Sequence, residues 1–220
     1  MKTKLDKLAV YQGQFGEFII TQDDRKEVII YRLGLCLASF SFAVATLLVL
    51  IFGKQLWVLD LLTLLFVVFS VGLGISLATI HIYLRILHRL LQGFWIIGTI
   101  TALSIAWYSS EPLALFVYNH PSTLFGIGCT FAALTGIFFK EAFCFNRLET
   151  KFLTLLVPSL LLGHLTGILP TRIKAVFLAS WGLLFVIFSI RKAIQSIPPD
   201  IGDKSVFTHL EQQRSTSLPS

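Results

Sequence analysis

The stretch LGLCLASFSFAVATLLVLIF, Leu33 to Phe52, decides the fold, because it has no charged side chain along its whole length. A helix needs about 20 mainly apolar residues to cross roughly 30 Å of membrane hydrocarbon. The rest of the chain has the same character: 55% of its residues are hydrophobic and only 14% are charged. This composition is typical of a membrane protein and unlike that of a soluble domain.

Five more apolar runs of similar kind follow, so the predicted fold is all-α, a polytopic bundle of six transmembrane helices. The predicted spans are 33–52, 56–80, 91–108, 123–139, 152–169 and 175–190. The apolar segment Leu113 to Tyr118 precedes the fourth span, and the sequence leaves open whether it belongs to that span. The last two spans are short, so we expect flanking residues to be drawn inward.

The distribution of positive charge predicts the orientation. Of the 18 Lys and Arg residues, only Lys54, Arg172 and Lys174 fall on one side of a six-span arrangement. Loops rich in Lys and Arg stay in the cytoplasm. Both termini are therefore predicted to be cytoplasmic, and the net charge of +6 needs no nucleic-acid partner to explain it.

Three regions follow from this arrangement: a cytoplasmic arm (1–32), the membrane domain (33–190) and a cytoplasmic tail (191–220). In the arm, Thr21 precedes QDDRKEVIIYR, which is typical of a capped helix leading into the first span. The upstream VYQGQFGEFII is compatible with a short strand or an interfacial segment. The end of the tail is polar and is expected to be disordered.

The most polar link between two spans is FFKEAFCFNRLETKF, Phe138 to Phe152, on the predicted cytoplasmic side. Its candidate site residues are Lys140, Glu141, Cys144, Arg147 and Glu149. Lys140 and Lys151 are expected to act as membrane-edge anchors, with Arg147 pairing to a nearby acid. The alternative hypothesis is that the nearby cations Lys140 and Arg147 make the Cys144 thiol nucleophilic or redox-active. The three cysteines lack the spacing of a zinc site or a disulfide framework.

Two ionisable residues, Asp60 and His164, lie inside predicted spans at similar depth below the outer face, and His120 lies in a link on that side. Ionisable groups within a membrane often mark a functional site. A proton relay or weak metal site built from Asp60, His120 and His164 is one hypothesis. The alternative is that water solvates Asp60 at the interface, while His164 forms a hydrogen bond between helices.

The sequence contains few motifs that indicate a particular biochemical function. The chain has no phosphate-binding glycine motif, no H-E-x-x-H and no G-x-S-x-G. No cofactor or metal is expected, and a non-enzymatic role is favoured over an enzymatic one. Three hypotheses remain: an accessory or assembly module of a membrane complex, a small-solute or ion permease using Asp60 and His164, and a thiol or redox protein using Cys144. Expected partners are the lipid bilayer and either other membrane subunits or further copies of the chain.

The arm YQGQFGEFIITQDDRKEVIIYRLG and the stretch GIFFKEAFCFNRLETKFLTLLVP, followed by GHLTG, resemble an uncharacterised family of integral membrane proteins from cyanobacteria, a domain of unknown function. The resemblance covers about Val10 to Ile197. It implies a multi-pass protein of the plasma or thylakoid membrane, and it transfers no activity, cofactor or catalytic residue. KEAFCFNRLE looks like a hallmark of that family, which draws attention to Glu141, Cys144, Arg147 and Glu149 without giving them roles.

Overall fold

The computed structural model describes residues 10–82, 85–206 and 209, and this part of the chain is a helical bundle. Six of its helices are long and apolar enough to cross a membrane, as the sequence predicts. In chain order the helices are α1 Gln22–Phe52, α2 Leu56–Thr79, α3 Arg85–Tyr108, α4 Leu113–Asn119, α5 Leu124–Phe145, α6 Leu148–Leu165, α7 Thr171–Ile194 and α8 Pro198–Ile201.

Several helix ends differ from the predicted spans. The segment Leu113 to Tyr118 forms most of the separate short helix α4, and the 3-10 turn Pro121–Thr123 divides it from α5. Pro121 lacks a backbone N–H and so cannot continue a helix from α4. At the other end of the bundle, α5 and α7 run beyond residues 139 and 190. They do so because their last turns bury charged side chains that hydropathy alone places outside the membrane.

The N-terminal arm consists of a hairpin followed directly by α1. Strands β1 Val10–Gly13 and β2 Gly16–Ile19 pair in antiparallel register. Thr21 then caps α1: its hydroxyl accepts the Asp24 N–H at 3.2 Å, and the Asp24 carboxylate accepts the Thr21 N–H at 2.7 Å. This reciprocal capping satisfies donors that the first helical turn otherwise leaves free. The arm and the first span are therefore continuous. The end of the tail lies outside the described residues.

Aromatic rings fill the middle of the bundle. Phe42 of α1 lies 4.4 Å from Trp181 of α7, and Phe131 of α5 lies 5.3 Å from the same indole, measured between ring centroids. Nearer the end of α5, Phe138 makes edge-to-face contacts with Phe185 and Phe188. These rings connect α1, α5 and α7 in one buried cluster. Edge-to-face pairing adds to the stabilisation from burying the rings.

Helices α1 and α2 approach closely where two glycines face each other. A Cβ atom at Gly34 would lie 2.6 Å from the carbonyl oxygen of Gly72, and one at Gly72 would lie 2.7 Å from that of Gly34. The absence of side chains allows the Ser76 hydroxyl to donate to the Tyr31 carbonyl at 3.0 Å. Small residues at a helix interface allow such close backbone contact in membranes.

We expect Gly34→Ala to lower the free energy of unfolding in detergent by about 1–3 kcal/mol, because the added methyl group forces the two helices apart. Gly93→Ala is the matched control, since a Cβ at Gly93 meets no atom within 4 Å. It should leave stability unchanged or raise it by up to about 1 kcal/mol. Equal unfolding free energies for the two variants would contradict the close α1–α2 contact.

Candidate functional site

The polar stretch Phe138 to Phe152 is mainly helical, with only a short connection between two helices. Helix α5 ends at Phe145 and α6 begins at Leu148, so only Asn146 and Arg147 connect them. Asn146 has a φ of 51° and forms the C-cap of α5. Asparagine tolerates this left-handed conformation better than most residues. Lys140, Glu141 and Cys144 therefore lie in the last two turns of helix α5.

Lys192 near the end of α7 lies at the centre of a buried group of charges. Its side chain is 0% exposed, and its ammonium donates to Glu141 Oε2 at 2.6 Å and to Asp200 Oδ1. The same ammonium lies 4.1 Å from the centre of the Phe145 ring. A buried charge needs opposite charges and hydrogen bonds to offset its lost hydration. Lys192 has two carboxylates and an aromatic face.

Glu141 is fully buried and is shared by three donors. Its Oε1 accepts the Lys140 ammonium at 2.9 Å and the Tyr31 hydroxyl at 3.1 Å, while Oε2 accepts Lys192. Lys140 does not extend outward as the prediction of a membrane-edge anchor assumes: its side chain is only 10% exposed and its ammonium is directed inward to Glu141. Lys151 is exposed and donates to the side-chain oxygen of Asn146.

Arg32, the last residue of the predicted arm, connects α1 to the segment that follows α7. Its Nε and Nη2 donate to Asp200 Oδ2 at 2.9 and 2.6 Å, and Nη2 also donates to the Ser196 carbonyl at 2.9 Å. Nη1 donates to the Gln195 carbonyl. A cation at the C-terminal end of a helix satisfies its last carbonyls and complements the helix dipole. We call Tyr31, Arg32, Lys140, Glu141, Lys192 and Asp200 the ionic network.

A second group of polar side chains borders the ionic network. Arg191 Nη1 lies 2.8 Å from Glu149 Oε2, and Arg147 Nη2 donates to Gln195 Oε1 at 2.6 Å. Arg147 Nη1 and Glu149 Oε1 are 4.0 Å apart, and neither of these buried atoms has a hydrogen-bond partner among the described residues. Gln195 Nε2 also reaches Asp200 Oδ1 at 3.3 Å, which joins the two groups.

The four residues that sequence reasoning missed are Tyr31, Arg32, Lys192 and Asp200. A signal exists in the spacing of buried residues. On α7, Phe185, Phe188, Ser189 and Lys192 are all buried at helical spacing, and Glu141 continues the stripe Leu134, Ile137 and Phe138 on α5 in the same way. Val28, Tyr31, Arg32 and Leu35 repeat the pattern on α1. Each charge therefore extends an apolar face and points inward.

The chain segment after α8 folds back onto the N-terminal arm. Lys204 donates to Asp24 Oδ2 at 2.8 Å, and Asp203 accepts the backbone N–H of Gln14 at 2.6 Å. This backbone N–H holds the pKa of the Asp203 carboxyl below its usual value. The contact with Gln14 is thus strongest above the ordinary aspartate pKa and weakens as the pH falls below it. The contacts bring the described parts of both termini to one end of the bundle, which we call the charged end.

Asp60 lies at the opposite end and is exposed. It lines a cavity of about 340 Å³ together with Thr63, Ser110 and Glu111. Two carboxylates on one cavity wall attract cations or protons. Neither predicted histidine lines this cavity, and among the described residues no hydrogen bond or ion pair joins Asp60 to His120 or His164.

His164 belongs to a different group of side chains. Its ring stacks on Tyr118 with 5.1 Å between centroids, and Lys174 Nζ lies 3.2 Å from its Nδ1. Lys54 lies 4.4 Å above the same Tyr118 ring. His120 instead stacks on Phe116 and approaches its carbonyl through Nδ1 at 3.0 Å. The three residues of the hypothetical relay therefore make separate sets of contacts, all near the links opposite the charged end.

Cys144 is exposed and lines a cavity at the charged end, while Cys36 and Cys129 are partly buried. Within residues 10–82, 85–206 and 209, no group of three or more His, Cys, Asp or Glu side chains is arranged to hold a metal ion. The side chains of the ionic network serve each other as donors and acceptors. This arrangement is suited to fixing helices in place.

One comparison identifies a relationship. The family model described as "Uncharacterized integral membrane protein (DUF2301)" matches residues 75–209, which is more than half of the 220-residue chain. The chain belongs to this family. The matched region includes Glu141, Lys192 and Asp200, whereas Tyr31 and Arg32 precede it. No curated protein and no solved structure matches the chain.

We expect Lys192→Met to lower the free energy of unfolding by about 3–5 kcal/mol, because it leaves two buried carboxylates without their shared cation. Lys151→Met is the matched control: Lys151 lies at the same end but is exposed, so its loss should change stability by less than about 0.5 kcal/mol. Denaturant unfolding in detergent measures both. A Lys192→Met protein as stable as the control would show that the ammonium does not hold the network together.

Proposed function

We propose that this member of the DUF2301 family is a non-enzymatic accessory module that packs against, or helps to assemble, a larger membrane complex. The observation that carries the proposal is the internal pairing of the most chemically suggestive residues. Lys140, Glu141, Lys192 and Asp200 form hydrogen bonds with one another. Groups used in this way hold helices in register and are poorly placed to act on a substrate.

The packed centre of the bundle supports the same proposal. Phe42, Phe131 and Trp181 meet midway along the helices, and Phe138, Phe185 and Phe188 continue the cluster toward the charged end. A solute path through the bundle axis would have to displace these rings. Close aromatic packing therefore favours a structural role over conduction along the axis.

The proposed partner surface lies at the charged end, next to the α5–α6 turn. Leu148 begins α6 with 67% of its surface exposed, and the exposed Lys151 follows one helical turn later. An apolar anchor beside a solvated charge suits a contact at the edge of the membrane, where a second subunit or another copy of the chain packs laterally. The two-residue connection between α5 and α6 fixes the position of Leu148 at the start of α6.

The membrane and its sidedness belong to this proposal as well. The excess of Lys and Arg at the charged end supports a cytoplasmic location for both termini. The resemblance of KEAFCFNRLE to cyanobacterial proteins supports the plasma or thylakoid membrane of a photosynthetic bacterium as the site of action.

The experiment is affinity purification of a C-terminally tagged copy from its native membrane in mild detergents, followed by mass spectrometry. We expect a stoichiometric set of membrane partners. Leu148→Ala should weaken partner recovery roughly tenfold, since an interface anchor contributes about 1–2 kcal/mol. Leu155→Ala is the matched control, because Leu155 is 69% exposed on the same helix but lies further along the span. A free monomer in every mild detergent would reject the assembly role.

A permease remains the second candidate, favoured by the cavity of Asp60 and Glu111. If this cavity begins a solute or proton path, Asp60→Asn should abolish pH-dependent flux into reconstituted vesicles, and His164→Ala should do so if the two groups share that path. Asp23→Asn is the control, because Asp23 is exposed at the other end of the bundle. Flux that is equal in all of these proteins would reject the proposed roles of Asp60 and His164.

A further inference from the structure

A second cavity, of about 300 Å³, opens at the charged end. Its walls come from the link after α2, the beginning of α3, the end of α5 and α8. Ile82, Leu87, Phe139 and Phe143 supply apolar surface, and Lys140 supplies a cation. Phe143 is 84% exposed. An apolar cavity with a cation, at the end of the membrane-spanning helices, suits an amphiphile lying in the bilayer.

Lys140 has hydrogen-bonding capacity to spare. An ammonium carries three N–H donors, and in the described part of the chain Glu141 is the hydrogen-bond acceptor of Lys140. The rings of Tyr31 and Phe145 lie 5.9 and 5.6 Å from the ammonium and add cation–π attraction without accepting its protons at close range. The side chain is nine-tenths buried. Its position is therefore fixed while part of its donor capacity remains available.

The charges of the ionic network are also unequal. Three cations, Arg32, Lys140 and Lys192, share the two carboxylates of Glu141 and Asp200. Lys192 bonds to both carboxylates, Arg32 bonds to Asp200, and Lys140 bonds to Glu141, so the three cations outnumber the two carboxylates by one. An excess positive charge in a poorly hydrated site is costly. An anion in the adjoining cavity would offset it.

His81 on the cavity wall does not supply the anion-binding charge at neutral pH. Partial burial lowers the pKa of its imidazole, and Glu27 at 3.3 Å opposes that effect. A neutral imidazole leaves Lys140 as the lasting positive charge on the wall. The carboxylate of Asp200 also lines the cavity, and its negative charge is paired with the cations of Arg32 and Lys192.

We propose that this cavity binds an anionic phospholipid, with an acyl chain against Phe139, Phe143 and Leu87 and the phosphate at the Lys140 ammonium. The charge excess selects a lipid with a net negative headgroup over a zwitterionic one. The surrounding bilayer supplies the ligand, and the site does not depend on any protein partner. Its test is therefore independent of the assembly role proposed above.

The purified protein is equilibrated in mixed micelles holding equal amounts of phosphatidylglycerol and phosphatidylcholine with the same acyl chains, and native mass spectrometry measures the retained lipid. We expect selective retention of phosphatidylglycerol. Lys140→Gln should reduce that selectivity roughly tenfold, as expected for the loss of a charge-assisted hydrogen bond. Lys26→Gln, which removes an exposed lysine at the same end but outside the cavity, should leave it unchanged. Equal retention of the two lipids by the unmodified protein would overturn the proposal.

A second variant tests the same cavity without changing the ionic network, in case Lys140→Gln fails to fold. Cys144 lines the cavity but makes no hydrogen bond in the ionic network, so Cys144→Trp should fill the space while leaving the charges in place. Retention of phosphatidylglycerol should fall at least tenfold. Leu155→Trp is its control, since Leu155 is exposed on α6 and does not line the cavity. Undiminished retention in a folded Cys144→Trp protein would place the lipid elsewhere and reject the site.

Discussion

The ammonium of Lys192, held between Glu141 and Asp200, is the interaction on which the architecture of the charged end depends. It joins α5, α7 and α8 at one point, and Arg32 extends the connection to α1 through Asp200. Removing Glu141 or Asp200 would leave buried cations without their carboxylate, and removing Lys192 would take away the one bond that both carboxylates share. The helix ends are thereby fixed relative to one another where apolar packing alone would allow sliding.

The ionic network also explains why the described part of the N-terminal arm meets the segment that follows α7. Asp200 follows α7 by a few residues, and its bonds to Arg32 turn the chain back toward the start of α1. Lys204 then reaches Asp24, and Ile201 packs with Ile20 and Val28 beneath the hairpin. Local capping at Thr21 and long-range ion pairing thus reinforce the same geometry. A rigid, positively charged end is the common basis of the proposed partner surface and the proposed lipid site.

The six spans were predictable because continuous apolar runs leave a backbone in hydrocarbon few alternatives to a helix. The extensions of α5 and α7 were not predicted, because the apolar runs end before Lys140 and Arg191. The buried faces of the two helices nevertheless continue, at helical spacing, to Glu141 and Lys192. Asp200 gives no local signal, because its role depends on a partner 168 positions away. At the opposite end, Asp60 and His164 were expected to be close because both lie at a similar depth in the membrane. They contact different links, since depth in the membrane does not determine where a residue lies around the bundle.

A double-mutant cycle with Arg32→Met, Asp200→Leu and the combined variant tests whether the Arg32–Asp200 ion pair closes the ionic network. Unfolding free energies in detergent give the coupling between the two side chains. We expect a coupling of about 1–3 kcal/mol, with the double variant more stable than the sum of the single losses implies. Strictly additive losses would contradict this expectation, because they would mean that Arg32 and Asp200 stabilise the protein independently and do not join α1 to the segment that follows α7.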